Sequence, residues 1–319
     1  MPKPNMSICV SELKKNYQDK EVLKGVSFSV PGGTIYALLG SNGAGKTTTV
    51  RILTTQIKSD SGTVSIEGYD ILKAPEKVHE VISLTGQFSA VDETLTGKEN
   101  LVIMGELRQF PNPQEKARQL LEYFQLSDFA NKAVAAYSGG MKRKLDIAMS
   151  LMGNPKVIFL DEPTTGLDPQ SRHSMWNIIK ALRHCGVTIF LTTQYLEEAE
   201  QLADRIAILN KGIIIAEGTS DELKAYLPHG AVQFVFENIE SLEKAKFLLK
   251  SFQTSSVLEE AKVKVFTDGK ADTLAQIFHV LYQNQISIRH FSQLEPNLED
   301  VFLAMIAESE ENFNGSQTK

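Results

Sequence analysis

The sequence predicts an α/β fold built around a phosphate-binding loop, followed by a smaller α+β domain. Two observations predict the larger fold. The octet GSNGAGKT at Gly40–Thr47 stands between a strand pattern and a helix pattern, and a second apolar strand, Val157–Leu160, ends in two carboxylates. A third observation, a renewed alternation of strands and helices in the last third of the chain, predicts the second domain. We expect the larger domain at 1–228, the smaller accessory domain at 229–308 and a disordered tail at 309–319.

The octet fits G-x-x-x-x-G-K-[ST], the phosphate-binding loop of nucleoside triphosphatases. Its glycines, Gly40, Gly43 and Gly45, let successive N–H groups point into one concavity, and the following helix adds its positive dipole end. Lys46 then reaches the β- and γ-phosphates, and the Thr47 hydroxyl can ligate Mg²⁺. The alternative is a chance glycine-rich turn, against which the flanking strand and helix argue.

The run Val157–Leu160 has no polar alternation, so it predicts a strand that is buried on both faces. The carboxyl end of such a strand lies where the phosphate loop opens. Asp161 is therefore the candidate that holds the Mg²⁺ shell. Glu162, directly after it, is the candidate general base for the attacking water.

A second small-residue motif, Tyr137-Ser138-Gly139-Gly140-Met141, opens a helix with apolar periodicity. Small residues at a helix N-terminus suit an anion. Because the chain already has one phosphate site, this second one suggests another ATP, bound by a partner subunit.

These motifs, in this order, resemble the ATP-binding subunit of an ABC transporter over about residues 6–227. In that family the signature Ser-Gly-Gly of one subunit closes over the γ-phosphate held by the other, and two ATP molecules are sandwiched in a head-to-tail dimer. The resemblance implies a P-loop fold of the ABC type, with a mixed core sheet, an antiparallel edge sheet and a helical subdomain at about 88–152. It also implies ATP and Mg²⁺ as ligands.

Individual roles follow from the same resemblance. Tyr17 matches the aromatic that stacks on adenine, Gln87 the glutamine that touches Mg²⁺ and senses the membrane partner, and Gly166–Asp168 the D-loop. The implied nucleotide contacts are Tyr17, Gly40, Ser41, Asn42, Gly43, Ala44, Gly45, Lys46, Thr47, Thr48, Gln87, Ser138, Gly139, Gly140 and Asp168. The implied Mg²⁺ contacts, in part through water, are Thr47, Gln87 and Asp161, and the implied catalytic residues are Lys46, Glu162 and Gln194.

Two of these assignments have alternatives. Tyr17 lies on a predicted turn, Asn16–Lys20, between strands Ser7–Leu13 and Val22–Val30, where a lone tyrosine is often ordinary packing. Gln194 stands where most members of the family carry a histidine, and it could be a solvated residue at a strand end. A glutamine donates a hydrogen bond but stays neutral. Our hypothesis is that Gln194 orients phosphate and water while Glu162 supplies the basicity.

The subtype can be narrowed further. The YSGGM signature, the TTQYLEEA segment that contains Gln194 and the closing PNLEDVF together resemble the daunorubicin/doxorubicin-resistance type of ABC ATPase. Such proteins are exporter subunits of the ABC-2 class. A soluble ABC ATPase without a transport role is the alternative, although translation-type members carry two cassettes where this chain carries one. An importer subunit fits the signature and Gln194 poorly.

The composition limits the kinds of partner and metal site that the chain is expected to have. A net charge of −6, with no broad basic surplus, argues against nucleic acid. Cys9 and Cys185 are too few for a disulfide framework or a zinc site, and the six histidines have no metal spacing. We find no signal peptide and no run near the ~20 apolar residues of a membrane span. If the chain is a transporter subunit, as the resemblance implies, the pore lies on another chain. The resemblance thus implies a separate membrane permease, a second ATPase subunit (a homodimer, with a heterodimer left open) and a place on the cytoplasmic face of the membrane.

The remaining patterns carry structural expectations. Leu95, Leu101, Ile103 and Met104 of the helical subdomain form either its core or a groove for the membrane partner. Lys142–Lys144 is expected to be a solvated helix face that adds positive field near the ATP, and Trp176 is expected to be core. Predicted helices are Lys98–Phe110, Gln114–Phe124, Ser241–Phe252, Ala271–Gln283 and Leu298–Ile306; predicted strands are Arg205–Leu209, Gly212–Glu217, Val232–Phe236, Lys262–Phe266 and Ile286–His290.

The elements after residue 230 read as a ferredoxin-like βαβ module without a catalytic constellation. Packing against the ATPase core, stabilising a dimer or contacting the partner are the roles that its position allows.

Overall fold

Two compact units, Met1–Ser220 and Asp221–Lys319, make up this computed structural model. The structure describes residues 5–18, 20–87, 89–226, 230–294, 297–303 and 305–306. The domain boundary predicted after residue 228 and the tail predicted at 309–319 lie outside these ranges and stay predictions. Within the described ranges, no helix combines the length and the apolar character that crossing a bilayer requires.

The first unit holds two sheets. Its strands are β1 (Met6–Tyr17), β2 (Lys20–Pro31), β3 (Ile35–Leu39), β4 (Ser61–Ile66), β5 (Tyr69–Asp70), β6 (Ile82–Thr85), β7 (Val157–Asp161), β8 (Thr188–Thr193), β9 (Arg205–Asn210) and β10 (Ile213–Gly218). One sheet is antiparallel, in the order β2-β1-β4-β5. The other has the order β10-β9-β3-β8-β7-β6 and is parallel except for β10. The predicted mixed core sheet and antiparallel edge sheet are confirmed.

The central strands β3, β7 and β8 are buried at every position, which accounts for their continuous apolar sequences. Their register aligns the carboxyl ends, because Leu39 pairs with Thr193 and Asp161 with Thr192. The phosphate loop, Glu162 and Gln194 therefore all follow the strands at one edge of the sheet. Ligands of open α/β sheets bind at this edge.

The hairpin of β1 and β2 is longer than predicted. Asn16 pairs with Glu21 and Tyr17 with Lys20, so the predicted turn at 16–20 is wrong in extent. The lysines at the end of β1 interrupt the apolar alternation, but an antiparallel strand tolerates polar residues on a solvated stretch. Tyr17 is the last residue of β1.

Seven helices of the first unit are α1 (Lys46–Leu53), α2 (Pro75–Val81), α3 (Gly97–Leu107), α4 (Pro113–Tyr123), α5 (Gly139–Ser150), α6 (Pro169–His184) and α7 (Leu196–Leu202). Both helices predicted between 98 and 124 are confirmed as α3 and α4. A Thr96–Glu99 capping box starts α3, and Asn112 caps α4. Of the four apolar residues with two expected roles, Leu101 is fully buried and Ile103 is 43% exposed, while the other two are half-buried.

The second unit begins with α8 (Ser220–Lys224) at its edge and continues with β11 (Gly230–Phe236), α9 (Ile239–Leu248), β12 (Thr254–Val257), β13 (Lys262–Thr267), α10 (Ala271–Gln283) and β14 (Ile288–Leu294). The antiparallel sheet has the order β12-β13-β11-β14. From β11 to β14 this is the β-α-β-β-α-β arrangement of ferredoxin-like modules. The short polar strand β12 was not predicted, because its sequence TSSV has no apolar alternation. Residues 298–303, at the predicted last helix, are helical.

Candidate functional site

The phosphate loop is shaped by glycines that no other residue could replace without strain. A Cβ on Gly40 would lie 2.5 Å from the carbonyl oxygen of Leu209, and one on Gly45 would lie 2.7 Å from Leu23 Cδ2. Gly43 and Gly45 also have φ of +80° and +116°, in the left-handed region. Helix α1 begins directly after Gly45, so its first N–H groups point into the loop.

Lys46 lies buried inside this loop, 4% exposed. Its Nζ donates to the carbonyl oxygens of Gly40 at 2.8 Å and Ser41 at 3.2 Å. The same nitrogen is 3.3 Å from Glu162 Oε1. The loop thus holds its ammonium group in place through the backbone and one carboxylate, at the position where phosphate oxygens would compete for it.

Two neighbouring carboxylates end β7. Asp161 Oδ1 accepts from Thr192 Oγ1 at 2.5 Å and lies 3.4 Å from Thr47 Oγ1. Glu162 has φ of +50°, which is unusual for a residue with a side chain and is characteristic of strained functional positions. The Gln87 amide donates to Glu162 Oε2 at 3.5 Å, a long contact.

A cavity of about 320 Å³ opens over these groups. Its lining residues are Tyr17, Lys20, Val22, Asn42, Gly43, Gly45, Lys46, Thr47, Thr48, Gln87 and Glu162. We call this the phosphate-loop face. Nine of the eleven were predicted as site residues; Lys20 and Val22 were missed. The pairing of Tyr17 with Lys20 places the first residues of β2 beside Tyr17 at the edge of the cavity, so this register is the signal that indicates Lys20 and Val22.

Gln194 follows β8 directly and is half-buried. Because Thr192 of β8 pairs with Asp161 of β7, the end of β8 that leads to Gln194 lies next to the end of β7 that leads to Glu162. Gln194 is not one of the residues that line the cavity.

The second predicted anion site lies on a separate surface, the signature face, formed by Ser138, Gly139, Gly140 and Asp168. Ser138 caps α5 by accepting from Met141 N–H at 3.3 Å. Asp168 caps α6, accepting from the N–H of Ser171 at 2.9 Å and from its hydroxyl at 2.6 Å. These bonds hold the pKa of Asp168 below its usual range. None of the four residues lines the phosphate-loop cavity.

The signature and D-loop segments are close neighbours. A Cβ on Gly140 would lie 2.6 Å from the hydroxyl oxygen of Ser171, the residue that bonds Asp168. A side chain at this position would therefore push against the side chain of Ser171, whose hydroxyl donates to the α6 cap Asp168. Gly139, in contrast, has nothing within 4 Å of its Cβ position.

The expectation that Lys142–Lys144 forms a solvated helix face is wrong for its central residue. Arg143 is buried, 7% exposed, and donates to the carbonyl oxygens of Pro163, Gly86 and Asp161 at 2.9, 2.6 and 3.3 Å. Helical spacing was the overlooked signal, because Arg143 is four residues before the buried Ile147 and therefore shares its face.

Asp146 is the carboxylate partner of Arg143, at 3.3 Å, and is also buried. Burial raises the pKa of Asp146 and lowers the pKa of Arg143, while the attraction between the two charges acts in the opposite direction on each.

A second buried carboxylate, Glu198, lies on α7. Its Oε1 accepts from Thr164 Oγ1 at 2.7 Å and from Trp176 Nε1 at 3.2 Å. Burial raises the pKa of Glu198 above its ordinary range, with bonds from Thr193 and its other donors opposing this. Trp176 is core, as predicted. Thr164 belongs to the loop that joins Glu162 to Asp168, so Glu198 fastens the connection between the two faces.

The oxygen atoms at this site could hold a metal ion that is also bound to the phosphates of a nucleotide. Thr47 and Asp161 present a hydroxyl and a carboxylate 3.4 Å apart, with the Gln87 amide near Glu162. Within the described ranges, no group of three or more His, Cys, Asp or Glu residues could hold a metal ion by itself. This donor set fits Mg²⁺, which takes one or two protein oxygens and completes its shell with phosphates and water.

The family model described as ABC transporter matches residues 23–165. The chain is 41% identical over 307 residues to the daunorubicin/doxorubicin resistance ATP-binding protein DrrA of Streptomyces peucetius, covering 95% of this chain and 93% of that protein. It is 34% identical to the linearmycin resistance ATP-binding protein LnrL of Bacillus subtilis, covering 91% of this chain and 95% of that protein.

Solved structures agree in fold. The ADP conformation of MJ1267, an ATP-binding cassette of an ABC transporter, is 30% identical and has a TM-score of 0.62, covering 68% of this chain and 92% of that one. The structure of cbiO1 from Clostridium perfringens has a TM-score of 0.65 at 24% identity, covering 77% of this chain and 97% of that one.

Proposed function

The chain belongs to the ABC transporter family of ATP-binding proteins, as its motifs predicted, and from that premise we propose that it is the ATP-hydrolysing subunit of an ABC-2 type exporter. One observation carries the chemical part of this proposal. Lys46, Thr47, Gln87 and Glu162 line a single cavity at the carboxyl edge of the core sheet. A cation, a hydroxyl, an amide and a carboxylate around a glycine-built nest are the groups that hold and hydrolyse a nucleoside triphosphate.

ATP binding rearranges the contacts of Lys46. The ammonium group exchanges the carbonyl oxygens of Gly40 and Ser41 for β- and γ-phosphate oxygens, and the loop N–H groups donate to the same phosphates. Tyr17, 43% exposed at the cavity rim, stacks on the adenine ring.

Hydrolysis requires a base and an oriented water. Glu162 accepts the proton of the water that attacks the γ-phosphorus. The bond from that phosphorus to the β–γ bridging oxygen breaks, and ADP leaves with the bridging oxygen. Gln194 donates a hydrogen bond that orients phosphate and water. Thr47, Asp161 and Gln87 would hold Mg²⁺, in part through water, and the ion supplies neutralisation of the charge on the phosphates.

The signature face completes the site of a second subunit. Ser138, Gly139 and Gly140 present a helix N-terminus that suits the γ-phosphate bound by the partner, and Asp168 caps the neighbouring helix. Two copies therefore form two sites, each built from the phosphate-loop face of one subunit and the signature face of the other. A homodimer satisfies this arrangement because each chain carries both faces.

Export requires a membrane partner on a separate chain, with this subunit at the cytoplasmic face of the membrane. Ile103 and Leu107 of α3 are exposed large apolar residues and provide a surface for that permease. The names of the relatives, which concern resistance to daunorubicin, doxorubicin and linearmycin, favour a drug or another natural product as cargo. We assign nucleic acid no role.

The proposal is tested by affinity purification of the tagged chain from detergent-solubilised native membranes. We expect a stoichiometric multi-span membrane protein, together with ATPase activity that Glu162→Gln abolishes. Recovery only from the soluble fraction, with no membrane partner, would instead indicate an ABC ATPase that does not transport.

A further inference from the structure

A buried ion pair on α5 lies at the junction of three functional segments. Arg143 and Asp146 stand three positions apart on α5, the helix that begins at the signature face, and both are buried. They lie outside the cavity lining, so neither contacts the nucleotide in the site described above. Burying two charges is costly unless each finds several partners, and here each does.

The three carbonyl oxygens that Arg143 contacts lie beside catalytic positions. Gly86 immediately precedes Gln87, while Asp161 and Pro163 stand on either side of Glu162. One guanidinium group therefore fixes the backbone next to the amide that would contact Mg²⁺ and on both sides of the proposed general base. A planar fork of five N–H donors suits this task, and a lysine ammonium does not.

Asp146 fastens the other end of the glutamine segment. Its Oδ1 accepts from the N–H of Ala90 at 3.3 Å, and the Ser89 side chain also bonds this carboxylate. Gly86 and Ala90, which lie on the two sides of Gln87, are thus each bonded to a side chain of α5.

We propose that Arg143 and Asp146 are positioning residues that couple the signature helix of one subunit to the catalytic residues of the same subunit. The inference rests on the proposed function, since α5 then carries Ser138–Gly140 against the partner's ATP. When that helix closes on the partner's γ-phosphate, the ion pair moves Gln87 and Glu162 with it. The state of one ATP site is thereby transmitted to the base of the other.

The test compares Arg143→Met with Arg118→Gln in the full chain. Arg118 is a matched control, because it pairs with Glu115 on α4 in the same subdomain but is 63% exposed. We expect Arg143→Met to bind a fluorescent ATP analogue within about twofold of wild type, while kcat falls by roughly tenfold or more through misplaced catalytic groups. Arg118→Gln should match wild type in both.

Hydrogen exchange separates positioning from general destabilisation. In Arg143→Met, the amides of residues 86–92 and 161–165 should exchange faster while those of β3 keep their protection. Asp146→Asn should also lower kcat and speed the exchange of the same amides, but by less than Arg143→Met does. The double variant should be no slower than Arg143→Met, because residues that act as one unit are not additive.

A kcat of Arg143→Met within about twofold of wild type would overturn the inference. So would faster exchange of β3 together with a proportional loss of binding, which a purely structural role predicts. Should Arg143→Met fail to fold, Arg143→Lys carries the same test, with lower kcat and unchanged nucleotide affinity expected. If wild type itself fails to hydrolyse ATP, the proposed function fails, and exchange at 86–92 still decides whether the pair fastens this segment.

Discussion

The phosphate-loop face and the signature face differ in how much of an ATP site each one holds. The phosphate-loop face gathers a buried lysine, a carboxylate, a hydroxyl and an amide around one cavity, with Lys46 only 3.3 Å from Glu162. The signature face offers a capped helix N-terminus and the Asp168–Ser171 bonds, with no reacting group of its own. Under the proposed function, we expect the first face to bind ATP alone and the second to need a nucleotide that another subunit presents.

Because of this difference, ATP binding and ATP turnover should depend on different parts of the surface. Nucleotide affinity in the isolated subunit should depend on the phosphate-loop face. Turnover should depend on both faces if, as we propose, the base on one and the anion site on the other act on the same γ-phosphate. Substitutions on the two faces therefore sharpen or break the distinction.

Glu162→Gln should have the largest effect. Loss of the general base is expected to reduce turnover by about 10²–10⁴-fold. ATP binding should be retained, because the amide keeps the shape of the side chain and no carboxylate is left without its partner when Lys46 turns from residue 162 to the phosphates. Phosphate release under saturating ATP measures the first, and titration with a fluorescent ATP analogue the second. Turnover at the wild-type rate would show that Glu162 is not the base.

Gly140→Val is the counterpart on the signature face. Its side chain meets the hydroxyl of Ser171, which donates to the α6 cap Asp168, so we expect turnover to fall by roughly 10²-fold through a misplaced anion site. Affinity of the isolated subunit for ATP should stay within about twofold of wild type. Equal losses of affinity and turnover, at an unchanged melting temperature, would break the distinction between the faces.

Gln194 is expected to have a smaller role at the boundary of the phosphate-loop face. Gln194→Ala should slow turnover roughly tenfold by removing one hydrogen-bond donor to the transition state. Gln194→His should be tolerated, and its rate should acquire a dependence on pH near the ordinary histidine pKa of about 6.5. The pH profiles of kcat for the three proteins decide this, and an unimpaired Gln194→Ala would leave Gln194 as a solvated strand-end residue.

Glu198 gives the smallest effect, on stability. Because its pKa is raised in the folded state, the folded protein holds the proton longer than the unfolded chain, and stability is lost as pH rises from about 4.3 through the folded pKa. Glu198→Gln stays neutral, so it should be more stable than wild type at pH 8, by roughly 1 kcal/mol, with no gain at pH 4. Denaturant unfolding at both pH values measures it; an equal shift at both would contradict the burial argument.

Local motifs allowed most of the phosphate-loop face to be predicted, because each is short and its flanking strand or helix can be recognised nearby. Nine of the eleven cavity residues were named from sequence, two of them, Tyr17 and Gln87, only through the family resemblance. Lys20 and Val22 were missed because they reach the cavity through pairing across the hairpin, which single-strand patterns do not contain.

Arg143 illustrates the greater limitation. In sequence it is the middle of three basic residues, a pattern typical of solvated helix faces. Its carbonyl partners lie on β7 and around Gln87, far away in the chain, so only the tertiary arrangement indicates that burial is compensated. The strand β12 was missed for a related reason, since its TSSV sequence is ordered by pairing with β13 and not by its own pattern.

The most direct test of the central claim is the molar mass of the Glu162→Gln subunit with and without ATP, measured by light scattering. If each ATP is held between the phosphate-loop face of one copy and the signature face of another, non-hydrolysed ATP should convert monomer into dimer. Adding Ser138→Asp, which places a negative charge where the γ-phosphate should dock, should leave ATP binding intact and prevent the dimer. An unchanged mass with ATP, or equal association of the Ser138→Asp variant, would contradict the account.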